Sequence, residues 1–166
     1  MDHKLIYGSC LSGKTVGTVG VGNIGADLMR MLEPFELAHR LAFDPYCEPQ
    51  VARAAGVELV DLPRLLTESD FVCINCPLTD ETQGIIGENE LGLMKSTAYL
   101  INTARGPVID ESALVEALAA VEIAGAGLDV FEDEPLPASS PLRTMDNVML
   151  APHNSNSSPG AWERVH

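Results

Sequence analysis

Arg105, Glu134 and His153 are ionisable residues that each stand just past a short, β-prone apolar run late in the chain. Arg105 lies in Asn102-Thr103-Ala104-Arg105-Gly106, Glu134 in Asp129-Val130-Phe131-Glu132-Asp133-Glu134-Pro135, and His153 in Ala151-Pro152-His153-Asn154. Their types suit one kind of chemistry. Imidazole is the side chain whose unperturbed pKa lets it give or take a proton near neutrality. A neighbouring carboxylate orients one ring nitrogen and favours the imidazolium. A permanently charged guanidinium fork matches a carboxylate in two bonds. Together they would serve hydride transfer to a 2-keto acid, in which a proton must reach the carbonyl oxygen. Position alone leaves the ordinary reading open: a solvated acidic loop at 132–134, a surface arginine and a structural histidine.

A second constellation lies near the start. Gly20-Val21-Gly22-Asn23-Ile24-Gly25 follows an apolar run directly and opens a helical pattern at Asn23. In such a turn Gly20 permits the sharp bend, Gly22 lets a pyrophosphate approach the backbone, and Gly25 lets helix and sheet pack closely. The helix N-terminus offers unpaired N–H groups and partial positive charge to the anion. Asp44 lies 19 residues beyond Gly25 at the end of the next apolar run. A carboxylate there binds the adenine-ribose hydroxyls of NAD and repels the extra phosphate of NADP. No arginine immediately follows it, so NAD is the expected cofactor. The competing reading makes Asp44 only the start of a turn before Pro45.

The pair Cys73-Ile74-Asn75-Cys76 has the spacing of a redox or zinc half-site. It falls in a buried-strand pattern at 71–75, where residues three apart face opposite ways. No second such pair and no nearby histidine pair completes a metal site, so a structural role is expected and no metal. The other cysteines are Cys10 and Cys47.

Apolar β-branched runs at 16–21, 40–44, 57–60, 71–75, 98–102, 124–130 and 148–151 read as strands, and helical signals fall between them. Ile24, Leu28, Met31 and Leu32 give 24–32 an amphipathic spacing. Asp61 with Pro63 opens a short helix through Leu66, and Asp110 caps a helix over 111–120. Ser158 with Pro159 marks the start of a last helix. The stretch 135–141 reads as a loop, because a strand follows it. Alternating elements, with strands apolar on both faces, predict an α/β fold: a doubly wound parallel sheet of the Rossmann type. One dinucleotide-binding domain over 1–166 is expected, since 166 residues are too few for two ordinary domains.

Composition narrows the partners. Apolar residues make up 46% and charged residues 20%, an ordinary balance for a globular chain. Acidic residues outnumber basic ones 24 to 10, a net charge of −14, which argues against nucleic acid and anionic membrane surfaces. No run approaches the ~18 apolar residues of a membrane span. The start, Met1-Asp2-His3-Lys4, lacks the apolar stretch of a secretory signal, so a cytoplasmic location is expected.

The motifs taken in order resemble a known family. Leu11-Ser12-Gly13-Lys14-Thr15-Val16-Gly17 is followed by the glycine turn, Cys76-Pro77-Leu78-Thr79, Leu100-Ile101-Asn102-Thr103-Ala104-Arg105-Gly106, Gly125-Ala126-Gly127-Leu128-Asp129-Val130-Phe131, and Ala151-Pro152-His153. This series resembles the nucleotide-binding domain of the NAD-dependent D-isomer-specific 2-hydroxyacid dehydrogenases, which include phosphoglycerate, glyoxylate/hydroxypyruvate and D-lactate dehydrogenases. The resemblance implies a catalytic set of Arg105 holding the substrate carboxylate, His153 as acid/base and Glu134 bonded to it. It implies that Gly20, Gly22, Asn23, Ile24 and Gly25 meet the pyrophosphate and Asp44 the ribose. Cys76, Thr103 and Ala104 would line the cofactor with their backbone, Asp129 would lie near the nicotinamide carboxamide, and Arg105 and His153 would border the same ring. Formate dehydrogenases are similar but pair the histidine with glutamine, and Glu134 argues against that branch.

Family members are far longer, and the expectation is a cofactor domain with the substrate domain absent. A homodimer through this domain is also implied. Two further readings stay open beside the enzyme: a non-catalytic NAD-binding regulatory or dimerisation module, and an inactive fragment. Two positions depart from the family pattern. The loop 34–39 lacks the usual glycine before the second strand, and Val121 stands where a helix-ending glycine is common; loop geometry is what these should alter.

Overall fold

The computed structural model describes residues 10–155. The strands are short and dominated by β-branched, small and apolar residues. They are β1 (Thr15–Val19), β2 (His39–Phe43), β3 (Glu58–Leu59), β4 (Phe71–Ile74), β5 (Tyr99–Asn102), β6 (Gly125–Leu128) and β7 (Val148–Leu150). All pair in parallel, in the order β3-β2-β1-β4-β5-β6-β7. The order reverses at β1, and its neighbours β2 and β4 flank it. That is the doubly wound α/β topology the alternation predicts, with a crevice at the switch point. Among the described residues no helix is long and apolar enough to cross a membrane.

The helices are α1 (Asn23–Met31), α2 (Pro49–Ala55), α3 (Leu62–Glu68), α4 (Glu88–Leu93) and α5 (Glu111–Ala119). Asp61 accepts from the Arg64 N–H and Asp110 from the Ala113 N–H, so both expected N-caps form. Among the described residues, the 3₁₀ turns Glu33–Phe35, Gly106–Val108 and Pro141–Thr144 lie within the crossovers. The core lies on both faces of the sheet and includes Leu41, Leu65, Leu66, Ile74, Leu100, Leu114 and Ile123, all essentially without exposure. β1 is buried along its whole length, as a central parallel strand must be.

The structure trims the sequence expectations rather than redrawing them. β1 stops at Val19, one residue before the glycine turn, and β6 stops at Leu128, leaving Asp129 and Val130 in the following loop. α2 and α4 carry no strong periodic signal in the sequence. They are seven and six residues long, too short to repeat an apolar stripe. The helix expected from Ser158 lies outside the described residues.

Candidate cofactor and catalytic site

Parallel pairing puts the C-terminal ends of all strands on one edge. The loops after β1, β2, β4, β5, β6 and β7 therefore carry every site residue expected from the sequence to the same side of the molecule.

At β1 the bend begins at Gly20, with φ +98°, and a Cβ there would sit 2.8 Å from the Asn75 carbonyl oxygen. Buried Thr18 braces this bend. Its hydroxyl donates to the Gly20 carbonyl at 2.9 Å and accepts from the Asn75 side-chain amide at 3.0 Å. A Cβ on Gly25 would lie 2.3 Å from the Gly20 carbonyl oxygen, so only glycine lets α1 start this close to the turn. Gly22 differs. A Cβ there would meet no protein atom within 4 Å, so packing against the protein gives no reason for glycine at that position. Space against the backbone beside a helix N-terminus is what a pyrophosphate requires. No side chain caps α1 and no acid sits in its first turn, which leaves its positive end unquenched. Asn23 and Ile24 are exposed there, Ile24 by 70%.

Asp44 follows β2 directly. One carboxylate oxygen accepts from the Val21 N–H of the glycine turn at 2.9 Å, and the other from the Tyr46 N–H at 3.0 Å. The carboxylate is thus fixed at the mouth of the turn. It also initiates the 44–47 turn, with the Cys47 N–H donating to the Asp44 carbonyl, as the turn reading of the sequence expects. These residues fit a dinucleotide.

On the other half of the edge, buried Asn102 shapes the loop after β5. Its side chain accepts from the Ala104 N–H and donates to the Arg105 carbonyl, both at 3.0 Å. Thr103 is exposed and Ala104 half-buried in this loop. Arg105 is exposed and donates to the Ala104 carbonyl at 2.6 Å. Gly106 lets this loop press on the next one, since a Cβ there would fall 1.9 Å from the Phe131 carbonyl oxygen.

That contact sets the Arg105 loop against the one bearing Glu134. Glu134 Oε2 lies 2.7 Å from His153 Nδ1, and its Oε1 accepts from the Phe131 N–H at 3.1 Å. The His153 hydrogen bond and then the Phe131 N–H hold the Glu134 carboxyl below the usual range, outweighing burial, and the charges of His153 and Arg105 act in the same direction. His153 itself has φ +54°, a left-handed conformation uncommon for a residue other than glycine. Asp129 holds that turn. It is only 3% exposed, and its two oxygens accept from the Asn154 and Ser155 N–H groups at 2.9 Å each. Burial pushes the Asp129 carboxyl up, but these bonds and His153 outweigh it and the net direction is down. A cleft of about 560 Å³ opens beside the pair, lined by Phe131, Leu136, Leu150 and Pro152 with Glu134 and His153.

The two cysteines of the C-x-x-C pair occupy different positions. Cys73 lies on β4, whereas Cys76 lies beyond the strand's end, buried against the core. Both are free thiols, and burial pushes Cys73 up to about 12 and Cys76 upward as well.

Thr18, Asn75 and Asn102 were not singled out in the sequence. The signal available was polarity: Thr18 and Asn102 are polar residues inside apolar strands, and a buried polar group must find a partner.

Comparison with known proteins accords with this geometry. Residues 1–155 match the sequence profile of the D-isomer specific 2-hydroxyacid dehydrogenase, NAD binding domain. A glyoxylate reductase from Korarchaeum cryptofilum is 47% identical over 154 residues, covering 93% of this chain and 46% of that protein. Among solved structures, D-lactate dehydrogenase with NAD+ from Lactobacillus jensenii superposes with a TM-score of 0.86 at 31% identity, over 98% of this chain and 52% of the other. An acyclic imino acid reductase (Bsp5) in complex with NADPH and D-Arg gives a TM-score of 0.88 at 30% identity, over 99% of this chain and 51% of the other. The chain spans about half the length of these three relatives. With the profile matched over nearly its whole length and a sheet order, glycine turn and strand-end loops to accompany it, the chain belongs to the D-isomer specific 2-hydroxyacid dehydrogenase family as its NAD-binding domain.

Proposed function

We propose that this chain is the cofactor half of an NAD-dependent oxidoreductase acting between a D-2-hydroxy acid and its 2-keto acid, with Arg105, Glu134 and His153 as the catalytic set. The observation that carries this reading is the 2.7 Å contact between His153 and Glu134, beside which the Arg105 loop packs on the Glu134 loop through Gly106. All three share a sheet edge with the glycine turn and Asp44.

The backbone amides at Gly22 to Gly25 and the α1 N-terminus receive the pyrophosphate, and Asp44 receives the ribose hydroxyls. Cys76, Thr103 and Ala104 border the cofactor through backbone groups, and Asp129 stands at its nicotinamide end. When bound, NADH supplies the hydride. Arg105 binds the substrate carboxylate as a fork and draws electron density toward the carbonyl oxygen. Glu134 fixes His153 through Nδ1, which leaves Nε2 to deliver a proton to that oxygen, and in the reverse direction to remove it. The kept negative charge on Glu134 stabilises the imidazolium that this requires. The acidic chain, at −14, accords with a cytoplasmic enzyme that binds small molecules rather than nucleic acid or membrane, and a homodimer through this domain is proposed with it. The whole of 1–166 is taken as one such unit.

Fluorescence titration with NADH and NADPH tests the cofactor assignment. The chain should bind NADH more tightly than NADPH. Asp44→Ala should weaken NADH about tenfold and relax the discrimination against NADPH. An unchanged preference would remove Asp44 from the ribose site. Oxidation of NADH by glyoxylate, hydroxypyruvate or pyruvate then tests the chemistry. Binding without turnover by the full-length protein would favour a non-catalytic NAD-binding module instead.

A further inference from the structure

The loops after β2 and β4 stand on either side of the glycine turn, because β2 and β4 are the two neighbours of β1. Across that gap the Tyr46 hydroxyl donates a 2.6 Å hydrogen bond to Glu81 Oε2. Both ends are anchored. The Tyr46 N–H donates to Asp44, whose other oxygen accepts from Val21 in the glycine turn. Glu81 sits in a turn tied by Thr79 and Thr82: the Thr79 N–H donates to Thr82 Oγ1 at 2.8 Å, and that hydroxyl donates to the Pro77 carbonyl at 2.6 Å. A continuous hydrogen-bonded path therefore runs from the glycine turn through Asp44 and Tyr46 to Glu81.

The tyrosine ring is 76% exposed, so packing in the core does not explain its presence. The two loops it joins are acidic: residues 44–48 contain Asp44 and Glu48, and residues 79–82 contain Asp80 and Glu81, while Arg40 on β2 and Arg53 on α2 are the basic residues on either side of the first loop in sequence. The hydrogen bond and the charge of Glu81 raise the Tyr46 hydroxyl above its ordinary value, so it remains a donor at neutral pH.

Resting on the NAD-binding reading given above, we propose that Tyr46 and Glu81 form a bridge over the adenosine end of the dinucleotide site and determine cofactor choice together with Asp44. The bridge holds the Asp44 loop in place for the unmodified ribose. It also sets a second carboxylate beside the position a 2′-phosphate would occupy. Glu81 is thus a specificity residue on a loop separate from the one that carries Asp44.

The test is a set of NADH and NADPH affinities for the unaltered chain, Tyr46→Phe, Glu81→Gln, their double variant and Glu81→Arg, each with a circular dichroism spectrum as a fold control. Tyr46→Phe and Glu81→Gln should each weaken NADH roughly three- to tenfold. The double variant should lose no more than the worse single one, because one interaction is removed twice. Glu81→Arg should narrow the NADH-over-NADPH ratio at least about tenfold by exchanging repulsion for attraction. NADH affinities of the single variants within about twofold of the unaltered chain, or an unmoved ratio in Glu81→Arg, would overturn the bridge while leaving the NAD reading intact. Failure of the unaltered chain to bind either nucleotide would overturn both.

Discussion

His153 occupies a backbone conformation that its own side chain does not favour, and the residues around it explain how. Asp129 accepts from the two N–H groups that follow it, and Glu134 takes one ring nitrogen. Asp129 therefore positions the His153 turn, a role distinct from the one proposed for His153 itself. The two roles can be separated by comparing His153→Ala with Asp129→Asn. On the proposed function, His153→Ala should lower turnover about 10²- to 10⁴-fold with NADH affinity nearly intact. Asp129→Asn replaces one acceptor oxygen with a donor that opposes a backbone N–H. It should cost about 1–3 kcal/mol of stability in urea titration. It should also move the His153 imidazole resonances, which a purely remote structural role would leave in place.

At the scale of elements, two departures from the family pattern noted in the sequence become backbone facts. Glu36 and Val121 both have positive φ, +53° and +57°. Val121 follows α5 in a Schellman arrangement: its own N–H donates to the Leu118 carbonyl and the Glu122 N–H to the Ala117 carbonyl. Gly56 ends α2 in the same way with φ +68°, at no steric cost. A β-branched residue in that conformation crowds its own carbonyl. Val121 is largely exposed, so little burial is lost on removing its side chain. Val121→Gly should stabilise the protein by about 1 kcal/mol, read as a higher urea midpoint with an unchanged slope. A lower midpoint would mean that the valine side chain contributes packing that outweighs the strain.

For the whole molecule, acid sensitivity follows from carboxylates that the fold holds ionised. Asp70 is mostly buried at the start of β4. Burial raises its carboxyl, but the Thr15 N–H, Lys95 and Lys14 more than offset this and hold it below the usual value. Asp110, Asp129 and Glu134 are lowered too. A depressed folded value means stability that is complete above the unfolded carboxylate range and lost as pH falls through and below it. Melting temperature should therefore hold from neutrality to about pH 5 and fall below about pH 4.5. Asp70→Asn should destabilise by about 1–3 kcal/mol at pH 7, with the gap to the unaltered protein closing toward pH 3. A gap that stays constant with pH would remove ionisation of Asp70 from the account.

The sequence by itself determined the alternation of strands and helices, the glycine turn and the capping acids, because each rests on local rules: two-residue and 3.6-residue periods, side-chain caps, and glycine where a helix must start against a strand. It did not reveal α2 or α4, which are shorter than the pattern that would announce them. Nor could spacing along the chain bring Tyr46 to Glu81 or Asp129 to the histidine turn. Those contacts join residues through the order in which strands are laid side by side, and hydrogen-bond geometry at the sheet edge exists only once that order is fixed. Tertiary structure alone decided which polar groups were satisfied by one another and which were left facing the crevice.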